Sequence, residues 1–347
     1  MPHTKLRMKE IEARSKPVTL EQIAQKAGVA SRTVSDALKG RGRVAATTRE
    51  KVLRIAKELN YVPNAAARAL ATGRTGTIAV LSGPLNEAFY SNMVHQLGNH
   101  LTANGYEMLL LPTQRSVQDL VLATQASSVD GIIFVGVSHL LEEFVHLSER
   151  HLRPCVLIDI TNPDYVDHIT LDLRPAVEEV LQLMIRANRK RIVYILNNRD
   201  ENSHLEVRME TYLKEMEKSG RVPEFINVDT HVSPAKRILA IKQHILSNGY
   251  PDALFCQNDE TAIYTYRALM ELGQRIPEDV LLAGCDGLPT MEFFEPPLST
   301  IALPTEAVCA TAVQFLQRRL DNPSITVQGA GLPGQLVVRK SLGAEGN

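Results

Sequence analysis

The chain has 347 residues, of which 38 are Lys or Arg and 39 are Asp or Glu, so its formal net charge is −1. Hydrophobic residues make up 44% and charged residues 22%, which is typical of a folded globular protein and excludes a disordered, collagenous or coiled-coil chain. At roughly 100–200 residues per domain, this length predicts two or three domains.

Charge is distributed unevenly along the chain. Residues 1–74 carry 16 basic and 6 acidic side chains, whereas residues 75–347 carry 22 basic and 33 acidic ones. Such asymmetry predicts a polyanion-binding module joined to a part of different function. A solvated basic tail is the alternative, and it is disfavoured because the basic residues interleave with a regular apolar pattern.

Three short helices are predicted in the first 60 residues. Thr19 and Gln22 form a capping box ahead of the first helix, and Gly28 ends it. Ser31 begins the second helix, and TTRE at residues 47–50 is a capping box ahead of the third. Helix, glycine turn, helix and supporting helix are the pattern of a helix-turn-helix domain.

A short alanine-rich segment follows this domain. Asn64 can cap a helix there and Gly73 can stop it. Helices shorter than about 12–15 residues rarely persist alone in water, so this one should form only when something else holds it. We predict a hinge helix and linker over residues 63–76.

From Thr77 onward, apolar runs of strand length alternate with amphipathic helical patterns, which predicts buried parallel sheets in an α/β fold. The number of elements suits two consecutive α/β subdomains. The predicted strands are 77–81, 107–111, 131–135, 155–158, 191–196, 225–228, 253–256 and 280–284. The predicted helices are 90–104, 117–127, 175–187, 205–219, 235–247, 260–272 and 306–320.

The sequence argues against several other classes. No apolar run approaches the roughly 18 residues of a membrane-spanning helix, and residues 1–17 are basic without the apolar core of a secretory signal. The four cysteines show no C-x-x-C spacing, so we expect no metal site, no disulfide framework and a reducing cytoplasm. No nucleotide-binding or nucleophile-elbow motif is present, so neither a cofactor nor enzyme activity is predicted.

The segment VTLEQIAQKAGVASRTVSDALK at residues 18–39 resembles the DNA-binding signature of the LacI/GalR family of bacterial transcription regulators. Motifs that match less specifically follow in order as far as residue 342, among them VDGII at 129–133, ND at 258–259 and PLSTI at 297–301. The resemblance implies a repressor with an all-α helix-turn-helix domain. It also implies an effector domain like a periplasmic sugar-binding protein, with two Rossmann-like lobes and a ligand between them.

The resemblance implies the following boundaries. Residues 1–17 are a basic extension, 18–62 the DNA-binding domain, 63–76 the hinge and 77–347 the effector-binding and dimerisation domain. The N-lobe takes about 77–172 and 304–330, and the C-lobe about 173–303 and 331–343. We expect a cytoplasmic homodimer on a pseudo-palindromic double-stranded operator, because a two-fold protein matches a two-fold site.

A recognition helix needs short polar side chains at its N-terminal end, where they meet base edges in the major groove. Arg32 can fork onto a guanine there, and Leu70 matches the family's minor-groove wedge, which kinks the duplex. A solvated charge is the alternative for each basic residue, and packing within its own domain is the alternative for Leu70. The predicted DNA-binding residues are Thr19, Ser31, Arg32, Thr33, Ser35, Asp36, Lys39, Arg43, Arg49, Asn64, Ala67 and Leu70.

Asp36 departs from the family pattern, in which many relatives carry an arginine that reads guanine. A carboxylate repels phosphate, but it accepts a hydrogen bond from cytosine N4. We therefore hypothesise that the operator half-site differs from the common family consensus at this base pair.

The effector is expected to be a carbohydrate or related metabolite bound where the carboxyl ends of the strands face each other. Arg208 matches the family's ligand-clamping arginine and Asp286 its ligand-binding acid. Alternatives stay open: Asp159 can be a helix cap, Arg208 a surface ion-pair partner, and the two aromatic residues part of the core. The predicted effector-binding residues are Phe89, Tyr90, Asp159, Arg208, Asn258 and Asp286.

Two other functions compete with this interpretation. A sugar-binding transport component shares the effector fold, but it would need a signal peptide and no basic helix-turn-helix module. An α/β enzyme would need a catalytic motif. Departures from the family pattern, among them Tyr264, Gly287 and Leu303, indicate an unusual pocket in which a common monosaccharide should not be assumed.

Overall fold

The computed structural model of the chain describes residues 18–38, 40, 42–61, 69, 73–113, 116–148, 152–161, 163–198 and 206–343. The chain divides into two compact units, Met1–Thr75 and Gly76–Asn347. The four cysteines are buried and free. Within the described residues, no helix has both the length and the apolar composition needed to cross a bilayer.

The N-terminal unit contains three described helices. They are α1 (Leu20–Ala27), α2 (Ser31–Leu38) and α3 (Ala46–Glu58). The predicted capping box of α1 is confirmed, because Oγ1 of Thr19 accepts from the Gln22 N–H at 3.3 Å and Oε1 of Gln22 accepts from the Thr19 N–H at 2.9 Å. Gly28 ends α1 in the left-handed conformation, with φ of 69°.

The capping box predicted at residues 47–50 is wrong. The helix α3 begins at Ala46, and its N-cap Ala45 makes no side-chain hydrogen bond. Thr47 therefore lies inside the first turn, where its hydroxyl cannot cap the helix. The helix keeps its predicted apolar face, because Val52 and Ile55 are buried in the core of the unit.

The described part of the C-terminal unit contains two six-stranded sheets. The first sheet has the order β11-β5-β4-β3-β1-β2 and the second β12-β10-β9-β8-β6-β7. The strands are β1 (Thr77–Ser82), β2 (Glu107–Pro112), β3 (Gly131–Val135), β4 (Cys155–Asp159), β5 (Asp167–Asp172), β6 (Ile192–Asn197), β7 (Glu224–Val228), β8 (Ala253–Cys256), β9 (Leu281–Asp286), β10 (Ser299–Ala302), β11 (Gly329–Pro333) and β12 (Gln335–Val337).

Helices cover both sheets. They are α4 (Ala88–Ala103), α5 (Val117–Ala126), α6 (Ser138–Ser148), α7 (Arg174–Arg186), α8 (Val207–Lys218), α9 (Pro234–Asn248), α10 (Asp259–Glu271) and α11 (Thr305–Asp321). Short 3-10 helices lie at Pro289–Phe293 and Lys340–Leu342. The predicted α/β class is confirmed: the first sheet is wholly parallel, and in the second only β12 runs antiparallel, against β10.

The chain passes between the two sheets three times. It leaves the first sheet after β5, returns after β10, and crosses again between β11 and β12. Each sheet has a buried apolar core on both of its faces. Because consecutive parallel strands of one sheet all end at the same edge, polar residues that follow the strands are gathered there.

Five observed elements were not predicted from the sequence: the strands β5, β10, β11 and β12 and the helix α6. The two outer strands, β11 and β12, are five and three residues long, and all of their residues are exposed or half-buried. Neither strand therefore shows the continuous apolar run of a buried strand. In β5, buried and half-buried residues alternate. Leu141 and Phe144 of α6 are buried at helical spacing, so that signal was present in the sequence. The predicted elements agree with the observed ones to within two residues at each end.

Candidate functional site

The second helix of the N-terminal unit presents polar residues outward. Val34 and Ala37 of α2 are buried in the core of the unit. The predicted recognition residues lie on the rest of the helix surface, and of these Ser31 and Arg32 are exposed. The other three are half-buried; they are Thr33, Ser35 and Asp36. The arrangement leaves one polar helix face free to enter a groove.

Asp36 has a neighbour within its own unit. A Cβ added at Gly42 would lie 3.3 Å from the Asp36 carboxylate, and Gly42 has a φ of 74°. The carboxylate therefore lies against the loop that joins α2 to α3. Asp36 is therefore a candidate for two roles, reading a base and holding this loop.

The remaining predicted DNA-binding residues fall into three groups. Thr19 is exposed, and its hydroxyl caps α1. Arg43 is exposed, and the Nε of half-buried Arg49 has no hydrogen-bond partner in the described part of the chain. The others lie outside the described residues, and their predicted contacts stay predictions. They are Lys39, Asn64, Ala67 and Leu70.

A cavity of about 350 Å³ lies between the two sheets of the C-terminal unit. Its walls include residues that end or follow β1, β3 and β4 of the first sheet and β6, β8 and β9 of the second. All six predicted effector-binding residues line it; they are Phe89, Tyr90, Asp159, Arg208, Asn258 and Asp286. The volume is at the lower end of small-molecule sites, which suits a single-ring ligand.

Arg208 lies in the first turn of α8, and its side chain is 14% exposed. Its Nε donates to Oε1 of Glu206 at 2.5 Å, and its Nη1 donates to the carbonyl oxygen of Gln257 at 2.5 Å. Glu206 also caps α8, because its Oε1 accepts from the Arg208 N–H at 3.3 Å. The guanidinium is thus held in one orientation by the start of α8 and the end of β8.

Asp286 ends β9 and is half-buried. Its φ of 147° lies in a region that residues other than glycine rarely adopt, and such backbone strain is found most often at functional sites. Burial and the neighbouring Asp259 raise the pKa of Asp286 well above its usual range, while Arg208 opposes this shift. The carboxyl group thus combines backbone strain with a high cost of ionisation.

Asp259 has a structural role beside the cavity. Its Oδ1 accepts from the Thr300 hydroxyl at 2.6 Å, and its Oδ2 accepts from the Leu288 N–H at 2.7 Å. Burial raises the pKa of Asp259 to about 6, although these hydrogen bonds lower it. The carboxylate joins the start of α10 to the loop after β9 and so supports the backbone next to Asp286.

Asn258 and Asp159 each line the cavity and also hold a helix end. Oδ1 of Asn258 accepts from the Thr261 N–H at 2.9 Å, which caps α10. Oδ2 of Asp159 accepts from the N–H of Ser138, the first residue of α6, at 3.0 Å. The helix-end role anticipated for Asp159 is therefore present, and it leaves the ligand role open.

Phe89 and Tyr90 contact each other edge to face, with ring centroids 5.2 Å apart. The Tyr90 ring lies directly on two glycines at strand ends. A Cβ added at Gly83 would come within 2.4 Å of it, and one at Gly136 within 2.5 Å. Both glycines are therefore needed for the ring to occupy this place.

Several polar residues of the cavity wall were missed by the sequence analysis. They are Glu87, Asn197, Asn198, Glu206, Thr230 and Gln257. All but Glu206 end or follow a parallel strand, so a search for polar residues at strand ends would have found them. Among the described residues, no group of three His, Cys, Asp or Glu side chains could hold a metal ion.

Two family models match the chain. The model described as bacterial regulatory proteins, lacI family, matches residues 19–64, and the one described as a periplasmic binding protein-like domain matches residues 181–342.

Relatives match over nearly their whole length. The ribose operon repressor of Haemophilus influenzae is 28% identical over 330 residues, which cover 93% of this chain and 98% of the relative. The HTH-type transcriptional repressor PurR of Pasteurella multocida is 27% identical over 331 residues, with coverage of 93% and 98%. A crystal structure of the lac repressor dimer bound to operator and the anti-inducer ONPF shares the fold, with a TM-score of 0.81, 24% identity and coverage of 95% and 100%.

Proposed function

The chain belongs to the lacI family of bacterial regulatory proteins, and we propose from this premise that it represses transcription under the control of a small molecule bound between its two sheets. The resemblance found in the sequence is thereby confirmed. The chain is a transcription regulator rather than an enzyme, since its relatives are named repressors. The proposal that a small molecule controls the protein is supported by one observation: all six residues predicted to bind the effector line the same cavity.

The N-terminal unit binds DNA. The α2 helix enters the major groove, where Arg32 contacts base edges and the excess positive charge of the unit meets phosphate. Two copies bind the two halves of a pseudo-palindromic operator as a homodimer. Residues 63–76 serve as the hinge, with Leu70 as the minor-groove wedge. A protein acting on chromosomal operators works in the cytoplasm.

Control by the effector follows from the position of the cavity. Ligand contacts come from both sheets, with Tyr90 and Asp159 on one side and Arg208, Asn258 and Asp286 on the other. A ligand that binds one arrangement of the sheets better than another shifts the population toward it. The domain boundaries predicted from the sequence place this equilibrium in residues 77–347.

The chemical class of the effector is inferred from the names of the relatives and from the size of the cavity. One relative is named for the ribose operon, and a carbohydrate or related metabolite of single-ring size suits a cavity of about 350 Å³. The polar wall supplies the donors and acceptors that such a ligand needs.

The function can be tested by operator selection with the full chain. Random duplexes are enriched on the purified protein, and we expect a two-fold symmetric consensus. Arg32→Ala should then weaken binding to that consensus by about 1–3 kcal/mol. Arg54→Ala is the matched control, since Arg54 is an exposed arginine of α3. Failure to enrich any consensus would overturn the DNA-binding proposal.

A further inference from the structure

The start of the C-terminal unit is fixed to the first sheet by hydrogen bonds. Gly76, the first residue of this unit, donates its N–H to Oδ2 of Asp130 at 2.8 Å, and its carbonyl oxygen accepts from the Glu107 N–H at 2.8 Å. Asp130 in turn donates its own N–H to the carbonyl oxygen of Thr77 at 2.8 Å. The beginnings of β2 and β3 therefore hold the residue from which the chain enters β1.

The hydrogen bond between Asp130 and Gly76, the anchor, depends on burial and on a specific backbone conformation. Asp130 is 8% exposed, so its carboxylate is largely shielded from water. Gly76 has a φ of 76°, in the left-handed region that residues with a side chain rarely adopt. The anchor lies at the edge of the sheet where β1 and β3 begin, and neither of its residues is among the described residues that line the cavity. Its role is therefore distinct from ligand binding.

The anchor limits the length of chain between the DNA-binding domain and the sheet. Without it, Gly76 would add one residue to the unattached chain, and one extended residue spans at most about 3.3–3.6 Å. The rise of one base pair in B-DNA is about 3.4 Å. An inserted base pair also turns a half-site by about a tenth of a helical turn. Loss of the anchor would therefore supply the slack needed to follow a half-site that is displaced by one base pair.

We propose that Asp130 is a positioning residue that fixes the spacing of the two operator half-sites, and that it acts through Gly76 without contacting DNA. In a two-fold dimer the two anchors lie a fixed distance apart, so each DNA-binding domain has a limited reach from a defined point. An operator of altered spacing strains the anchors, and breaking one bond between Asp130 and Gly76 relieves that strain. This inference rests on the proposed function, because it concerns operator binding by a dimer.

The test compares two labelled duplexes, the consensus from operator selection and the same sequence with one base pair inserted at its centre. Fluorescence anisotropy gives the dissociation constant of the full chain for each duplex, and the ratio of the two constants is the spacing penalty. A variant that only lowers the fraction of folded protein changes both constants alike and leaves this ratio unchanged. We expect the wild type to bind the lengthened duplex more weakly. Asp130→Ala should reduce the spacing penalty by about 2-fold to 10-fold, which corresponds to one hydrogen bond.

Further variants separate the hydrogen bond from the charge of the carboxylate. Asp130→Asn keeps a carbonyl oxygen that can accept from Gly76, so it should retain the wild-type spacing penalty. Gly76→Ala leaves Asp130 unchanged but strains the left-handed backbone, so it should reduce the penalty as Asp130→Ala does. This variant also provides the test if Asp130→Ala does not fold. Glu143→Ala, which removes an exposed carboxylate of α6, is the control and should leave the penalty unchanged.

The outcomes separate this inference from the proposed function. If the wild type binds both duplexes equally, or if Asp130→Ala and Gly76→Ala keep its spacing penalty, the role of Asp130 is overturned while operator binding stands. A penalty that falls equally in Glu143→Ala would overturn it as well. If operator selection enriches no consensus, the DNA-binding proposal itself fails, and the role of Asp130 fails with it.

Discussion

Glu206 and Arg208 form an ion pair at the start of one helix, with 2.5 Å between Oε1 and Nε. The same carboxylate accepts the Arg208 backbone N–H and so caps the helix. The side chains are 21% and 14% exposed, respectively, so solvent screens the pair only in part. The acid that orients the guanidinium therefore also reduces its attraction for anions.

A double-mutant cycle measures this coupling. Arg208→Met leaves the Glu206 carboxylate without its counter-charge, so the single variant should lose more stability than the charge pair contributes on its own. Glu206→Gln combined with Arg208→Met should recover part of the loss, with a coupling energy of about 0.5–3 kcal/mol. Urea unfolding followed by tyrosine fluorescence is suitable, since the chain has nine tyrosines and no tryptophan. Additive losses would show that the two side chains act independently.

Asp259 predicts a specific dependence of stability on pH. Its folded-state pKa is about 6, above the ordinary value of 3.8. The folded state therefore binds the proton more tightly, and the stability contributed by this group is full below pH 4 and is lost as the pH rises through 6. Relative to Asp259→Asn, the wild type should lose about 2 kcal/mol between pH 4 and pH 7.

The measurement is the free energy of unfolding of both proteins across this pH range. Taking the difference between them removes the titration of the other carboxyl groups. Glu217→Gln controls for the change in net charge at an exposed position. A difference that stays constant with pH would mean that Asp259 ionises alike in the folded and unfolded chains.

The position of Tyr90 depends on the absence of a side chain at Gly83. Gly83→Ala places a Cβ within 2.4 Å of the ring, so the ring must move, at a cost of about 1–3 kcal/mol for overpacking. We expect ligand-induced stabilisation to be lost while operator binding persists. Gly331→Ala is a matched control, because a Cβ there meets no atom within 4 Å. If the two substitutions changed ligand-induced stabilisation equally, the position of Tyr90 would not be important for ligand binding.

The sequence predicted positions better than contacts. Asp286 lines the cavity because it ends a parallel strand, and residues at such ends converge there whatever their side-chain conformations. Arg208, which was predicted from the family resemblance alone, lines the cavity from the first turn of α8. The ion pair between Glu206 and Arg208 depends on side-chain torsion angles at the start of one helix. The periodic pattern of apolar residues does not encode these angles. Gly83 and Gly136 follow two strands, whereas Tyr90 lies in the first turn of a helix. Their contact depends on how these elements pack, so only the tertiary structure reveals it.

Asp36 makes the DNA-binding proposal specific. Its carboxylate can accept from cytosine N4 but repels phosphate, so operator selection should recover cytosine at the base pair facing it. Asp36→Arg should change the preferred base there, by discrimination of about 1–3 kcal/mol, and raise affinity for non-specific DNA. Glu50→Gln, at an exposed position of α3, removes a charge from the same unit and should leave the consensus unchanged.

The contact with the loop at Gly42 offers the competing role for Asp36, and a second variant separates the two. Asp36→Asn keeps the size of the side chain, and so its packing against the loop, but its amide lacks the charge of the carboxylate. If base reading is the role, Asp36→Asn should weaken the cytosine preference without changing the melting temperature of the N-terminal unit. If both variants lower that melting temperature and leave the selected base unchanged, Asp36 holds the loop and does not read the operator.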